Sequence, residues 1–115
     1  MRRPDLEAEV KFLTTEEGGR EHFVRSGYRP KFCYRSENYD AVQEFVGKDK
    51  VYPGQTAVVR FQFLHPESLV NRIDVGDDFK ILESNRTVAT GRVTRILRLA
   101  ENAVEIQQKM DRKRR

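Results

Sequence analysis

LEAEVKF, residues 6–12, sets apolar Leu6, Ala8, Val10 and Phe12 against charged Glu7, Glu9 and Lys11. A period of two turns one set of side chains into a core and the other toward water, which predicts a half-buried β-strand. The same alternation returns in PKFCYRS (30–36), with Phe32 and Tyr34 on one side, and in AVVRFQF (57–63), where Val59, Phe61 and Phe63 oppose Arg60 and Gln62. AVQEFV (41–46), DFKILE (78–83) and RTVATGRVTRIL (86–97) carry fainter versions, so about six strands are predicted in all.

Turn signals stand between these runs: Gly18-Gly19, Gly27, Pro53-Gly54, Gly76 and Ser84-Asn85. Pro53 presets the second position of a turn and Gly54 accepts the positive φ of its third, as in a type II turn. Short strands with frequent turns and no helices between them imply an all-β closed antiparallel barrel or a sandwich. After Leu97 the rhythm changes. Leu99, Ala103, Ile106 and Met110 draw one apolar stripe at helical spacing, with Glu105 and Lys109 one turn apart in the favourable order. The closing DRKRR (111–115) is expected to be solvated and mobile. The chain thus divides into a barrel over 1–97 and a basic amphipathic helix or tail over 98–115. That helix either docks on the barrel or forms only beside a partner.

With 115 residues, 37% hydrophobic and 35% charged, the chain has the size of one domain, and seven Phe and four Tyr supply the bulk of a core. A lone cysteine, Cys33, makes no internal disulfide, and the N-terminal residues lack the apolar run of a secretory signal, so a reducing, cytoplasmic setting is expected. No run approaches the roughly 20 apolar residues of a membrane helix. The net charge is +4, and residues 98–115 carry most of it. Such a balance permits nucleic-acid contact without requiring it.

Catalytic and metal-binding patterns are missing. Gly47-Lys48-Asp49 does not supply the two glycines and Lys-Ser/Thr that surround a phosphate in a P-loop. His22 and His65 have no cysteine companions at zinc-ligand spacing, and Cys33 has no neighbouring histidine pattern. Asp77-Asp78 beside Gly76 reads as a polar turn. No enzyme activity, cofactor, metal or bound nucleotide is therefore expected.

EAEVKFLTTEEGGR, GYRPKFCYR, PGQTAVVRFQFLHP, GDDFKILE and RTVATGRVTRIL, in this order, resemble the third, C-terminal domain of bacterial elongation factor Tu over about residues 6–97. The resemblance implies a closed barrel of six antiparallel strands. In that family the domain packs against a GTP-binding domain and a second barrel, and one surface holds the T-stem of aminoacyl-tRNA. Nothing in these 115 residues resembles the other two domains, so neither GTP hydrolysis nor complete recognition of a charged tRNA is implied.

By the same resemblance, Arg20, Glu21 and His22 occupy a T-stem-contacting loop, with Lys31, Asp40, His65 and the pair Glu83-Ser84 at four further contacting positions. Several depart from the family pattern. Lys31 stands for a glutamine and could strengthen a phosphate contact, whereas Glu21 stands for a histidine and Asp40 for a threonine, and acids there would repel a phosphate backbone. Ser84-Asn85 replaces a Gly-Gly pair, and the segment between Pro66 and Gly76 is longer than its usual counterpart. Read from the residues alone, Gly18 and Gly19 free the chain to leave the first strand. Pro30 extends Arg29, and Arg20, Arg29 and Lys31 are exposed cations able to meet phosphate oxygens.

Two functions follow. One is a translation-linked module that touches tRNA or rRNA. The other is a protein-interaction barrel that docks with a translation GTPase or exchange factor, with Tyr28, Arg29 and Tyr39 as interface anchors.

Overall fold

In the computed structural model, which describes residues 3–113, six strands close into an antiparallel barrel: β1 (Leu6–Phe12), β3 (Lys31–Tyr34), β4 (Glu37–Phe45), β6 (Thr56–Phe63), β7 (Asp78–Glu83) and β8 (Arg86–Ile96). Their spatial order is β1-β6-β4-β3-β7-β8, and β8 pairs back onto β1, which leaves no open edge. Two shorter strands, β2 (Val24–Arg25) and β5 (Lys50–Val51), form a separate ribbon that the hydrophobic alternation does not predict, being too short to show a period. Strand β4 begins at Glu37, ahead of the predicted Ala41. The two-residue turn Arg35-Ser36 has φ of +50° and +66°, so pairing resumes at once between Tyr34 and Glu37.

The alternation in LEAEVKF holds throughout β1: Leu6, Ala8, Val10 and Phe12 are buried, and Glu9 and Lys11 face solvent. At the barrel centre, Phe32 stacks on Phe79 with ring centroids 4.2 Å apart and meets Phe61 and Phe63 edge-on at 5.1 and 4.9 Å. Gly91 sits directly opposite Phe79, and a Cβ there would lie 2.3 Å from Phe79 Cζ. The glycine makes room for the ring.

One turn reading needs correction. Gly18, with φ +97°, takes the left-handed conformation expected of it, but Gly19 is required for a different reason: a Cβ there would lie 2.3 Å from the Leu13 carbonyl oxygen. In the Ser84-Asn85 turn, Ser84 has φ +54°. At Pro53-Gly54 the expectation holds, since Gly54 has φ +87° and the Gln55 amide donates to the Tyr52 carbonyl at 3.1 Å.

The long connection after β6 contains a short 3-10 helix (Pro66–Ser68) and buries Leu69 and Ile73. Tyr34 latches it from inside the barrel, its hydroxyl donating to Asp77 Oδ2 at 2.5 Å and lying 3.0 Å from the Arg72 carbonyl oxygen.

Helix α1 (Leu99–Lys113) packs against that 3-10 helix, burying Leu99, Asn102 and Ala103. Asn102 Nδ2 donates to Asp5 Oδ1 at 2.7 Å and to the Arg3 carbonyl at 2.8 Å, while Asp5 Oδ2 accepts from the Phe63 amide at 2.7 Å. Of the two expected states of the helix, the docked one is therefore present, and a polar contact secures it. The apolar stripe outlasts the barrel surface, so Met110 is exposed while Leu99 is not. Glu105, expected to pair with Lys109, reaches back to Arg98 Nη2 at 2.9 Å. Asp111, Arg112 and Lys113 continue the helix, and the rest of the expected mobile tail lies outside the described residues.

Candidate functional site

Strand register gathers most of the singled-out residues into one belt across the barrel. Glu83 follows Leu82 on β7, Leu82 pairs with Lys31 on β3, and Lys31 pairs with Asp40 on β4. The Asp40 carbonyl accepts from the Leu64 amide at 3.0 Å, which places His65 at the far end. Asp40 and His65 share a cavity of about 210 Å³ with Tyr39 and Ser68.

At the first end, the Arg20 guanidinium pairs with Glu83 Oε2, and the Tyr28 hydroxyl donates to the same oxygen at 2.8 Å. Arg20 also lies over the Tyr28 ring, 5.4 Å from its centroid, and its Nε donates to the His22 carbonyl at 3.3 Å. Thr15 Oγ1 ties the loop down by donating to the Arg20 carbonyl at 2.7 Å. Burial pushes the Tyr28 phenol up, and its hydrogen bond to Glu83 adds to the shift. Arg20 is thus held by an acid and an aromatic ring.

Along the belt, Lys31 Nζ pairs with Asp40 Oδ1, and His65 Nδ1 lies 3.2 Å from Glu67 Oε1. The Tyr39 hydroxyl donates to Glu37 Oε2 at 2.8 Å and accepts from Arg72 Nη1 at 3.0 Å. The sequence reading of Arg20 and Lys31 as free cations therefore changes: each already has a carboxylate partner. Pairing needs residues from different strands, which spacing along one strand does not reveal. Asp40 acts first on Lys31, in an exposed pair that is cheap to open.

Glu21 and His22 are exposed beside Arg20 in the loop, and Ser84 is exposed at the tip of the β7–β8 turn, next to Glu83. Arg29 lines a groove of about 560 Å³ together with Asp40 of the belt and with Ala41, Val42, Phe63 and Leu64. Tyr28 and Tyr39 are each half-buried against the core.

One cluster escaped the sequence reading. Phe-Val-Arg (23–25) and Lys-Val-Tyr (50–52) are mirror-related triplets that antiparallel pairing lays side by side. Val24 and Val51 point inward and are buried, leaving Phe23, Arg25, Lys50 and Tyr52 together on the outer side. The mirror relation was the available signal, and it becomes one only once the pairing is known.

Among the described residues, no group of three or more His, Cys, Asp or Glu side chains is placed to hold a metal ion, and no helix is long and apolar enough to cross a membrane. Residues 2–97 match the family model described as the elongation factor Tu C-terminal domain.

Proposed function

The chain belongs to the elongation factor Tu C-terminal domain family, and from that membership we propose that it is a cytoplasmic, non-catalytic module of translation that grips the phosphate backbone of tRNA or rRNA with the belt running from Arg20 to His65. The observation that carries this reading is the contiguity of the belt. Arg20 and Glu83, Lys31 and Asp40, and His65 follow one another from strand to strand, so one helical stretch of RNA backbone can meet them in sequence. A phosphate must displace a carboxylate at two of these points. At Lys31 the exchange costs little, because both side chains of the pair are about half exposed. Glu21 and Ser84 lie at the near end as contact or spacing residues.

Filter binding of charged and uncharged tRNA at two salt concentrations tests the proposal. If four phosphates are contacted, log affinity falls with log salt at a slope of about −3 to −4. Arg20→Ala with Lys31→Ala reduces that slope by about 1.5, and Asp40→Asn, which frees Lys31, tightens binding a few-fold. Unchanged binding in both variants would falsify the assignment.

A second reading rests on the charge balance of the belt. Arg20, Lys31 and Arg72 are each matched by an acid, which suits the polar rim of a protein interface as well as a phosphate track. On this reading Tyr28, Arg29 and Tyr39, with the groove below Arg29, dock a translation GTPase or an exchange factor. Ribonuclease treatment of a pull-down separates the two, since partners that survive it belong to the second.

A further inference from the structure

On the outer side of the β2–β5 ribbon, Arg25 and Lys50 are direct cross-strand partners. Like charges placed opposite one another destabilise a ladder, and this ladder is only two residues long on each strand. Among the described residues neither cation has an ion-pair partner; both are instead drawn over the Phe23 ring, the Arg25 guanidinium carbon at 5.3 Å and Lys50 Nζ at 4.7 Å from its centroid. A ring quadrupole offsets part of the repulsion, and an anion between the two would remove it.

The second component is Tyr52. Its ring lies 5.4 Å from that of Phe23, tilted by 57°, and it is 48% exposed. The Tyr52–Gln55 turn holds it there: the Gln55 amide donates to the Tyr52 carbonyl, and the Tyr52 amide donates to Gln55 Oε1 at 3.0 Å. An exposed, pre-positioned aromatic face beside two uncompensated cations is the combination that binds one nucleotide of a single strand, base on the ring and phosphate on the cations.

We propose that the Phe23, Arg25, Lys50 and Tyr52 platform is a binding site for an unpaired nucleotide of single-stranded nucleic acid, with the base stacked on Tyr52 and its phosphate held by Arg25 and Lys50. An acidic peptide would satisfy the cations but leave the Tyr52 face unused, and duplex RNA keeps its bases stacked internally. The platform shares no residue with the Arg20 to His65 belt, so the two sites stand or fall separately.

Fluorescence anisotropy with the full chain and a labelled oligouridine of about 12 nucleotides tests this. Tyr52→Ala and Tyr52→Leu are expected to weaken binding by about 5- to 150-fold, Tyr52→Phe to preserve it, and a duplex of equal length to be indifferent to all three. Arg25→Ala with Lys50→Ala is expected to lower the salt slope by about 0.7, the share of one single-strand phosphate. The proposal is overturned if the wild-type chain does not bind the oligonucleotide, if Tyr52→Ala is silent, or if it weakens duplex and single strand alike. Thermal unfolding of each variant separates a lost ring from a lost fold, and Tyr52→Leu retains the apolar bulk while removing the π face.

Discussion

Gln43 is fully buried on β4, and among the described residues neither its amide nitrogen nor its amide oxygen has a hydrogen-bond partner. Its backbone is well used, since the Gly27 amide donates to its carbonyl at 2.8 Å and its own amide donates to the Tyr28 carbonyl at 2.9 Å. Only the side chain is out of place. Gln43→Met keeps the length and removes both polar atoms, and is expected to raise stability by about 1–3 kcal/mol in urea unfolding. Ser84, like Arg35, Ser36 and Asn71, has a positive φ, and at +54° its side chain carries a steric penalty that glycine lacks. Ser84→Gly is expected to add about 0.5–1 kcal/mol, read as a rise in the urea midpoint without a change in slope.

At the scale of elements, the Tyr34 latch adds a polar tie to the long connection between β6 and β7, which buried Leu69 and Ile73 also anchor. The Tyr34 hydrogen bond holds the Asp77 carboxyl below its ordinary range, and the Asp74 amide, which donates to Asp77 Oδ2 at 3.0 Å, acts in the same sense. A lowered folded-state pKa stabilises wherever the carboxyl would be ionised in the unfolded chain, above about pH 3.9, and that contribution is lost as pH falls through the lower folded value. Tyr34→Phe is accordingly expected to cost about 1–3 kcal/mol at pH 7. The gap between variant and wild type should narrow below about pH 4. Urea unfolding of both proteins at pH 7 and at acid pH measures it, and a pH-independent gap would remove Asp77 from the explanation. The latch residues sit far apart in sequence, Tyr34 inside a strand and Asp77 in what reads as a simple polar turn. Its chemistry was not legible before the barrel brought them together.

For the molecule as a whole, the Asp5 to Asn102 contact joins the start of β1, the end of β6 and the helix. Asn102 interrupts the apolar stripe of Leu99, Ala103 and Ile106, and this interruption secures the docking. Asn102→Ala deprives Asp5 of one donor in a buried site and is expected to cost about 1–3 kcal/mol. Hydrogen exchange should show the amides of residues 99–106 losing protection before those of the barrel strands. Uniform loss across the molecule would show instead that helix and barrel form one cooperative unit.

What the sequence by itself determined is the barrel and its family. Six strands were legible because burial on one face imposes a period of two, as Leu6, Ala8, Val10 and Phe12 display, and because positive φ at Gly18 and Gly54 selects glycine locally. The helix was legible for the matching reason, a change of period after Leu97. Tertiary structure alone decided which charges are free. Arg20 and Lys31 look like available cations in the chain, and the closed sheet sets Glu83 and Asp40 against them. Arg25 and Lys50 draw no notice 25 residues apart, yet pairing turns them into facing, uncompensated charges. The physical reason is range: backbone angles and burial periodicity act between near neighbours and leave a mark in the order of residues, whereas ion pairing depends on distances across strands that exist only once the sheet has closed.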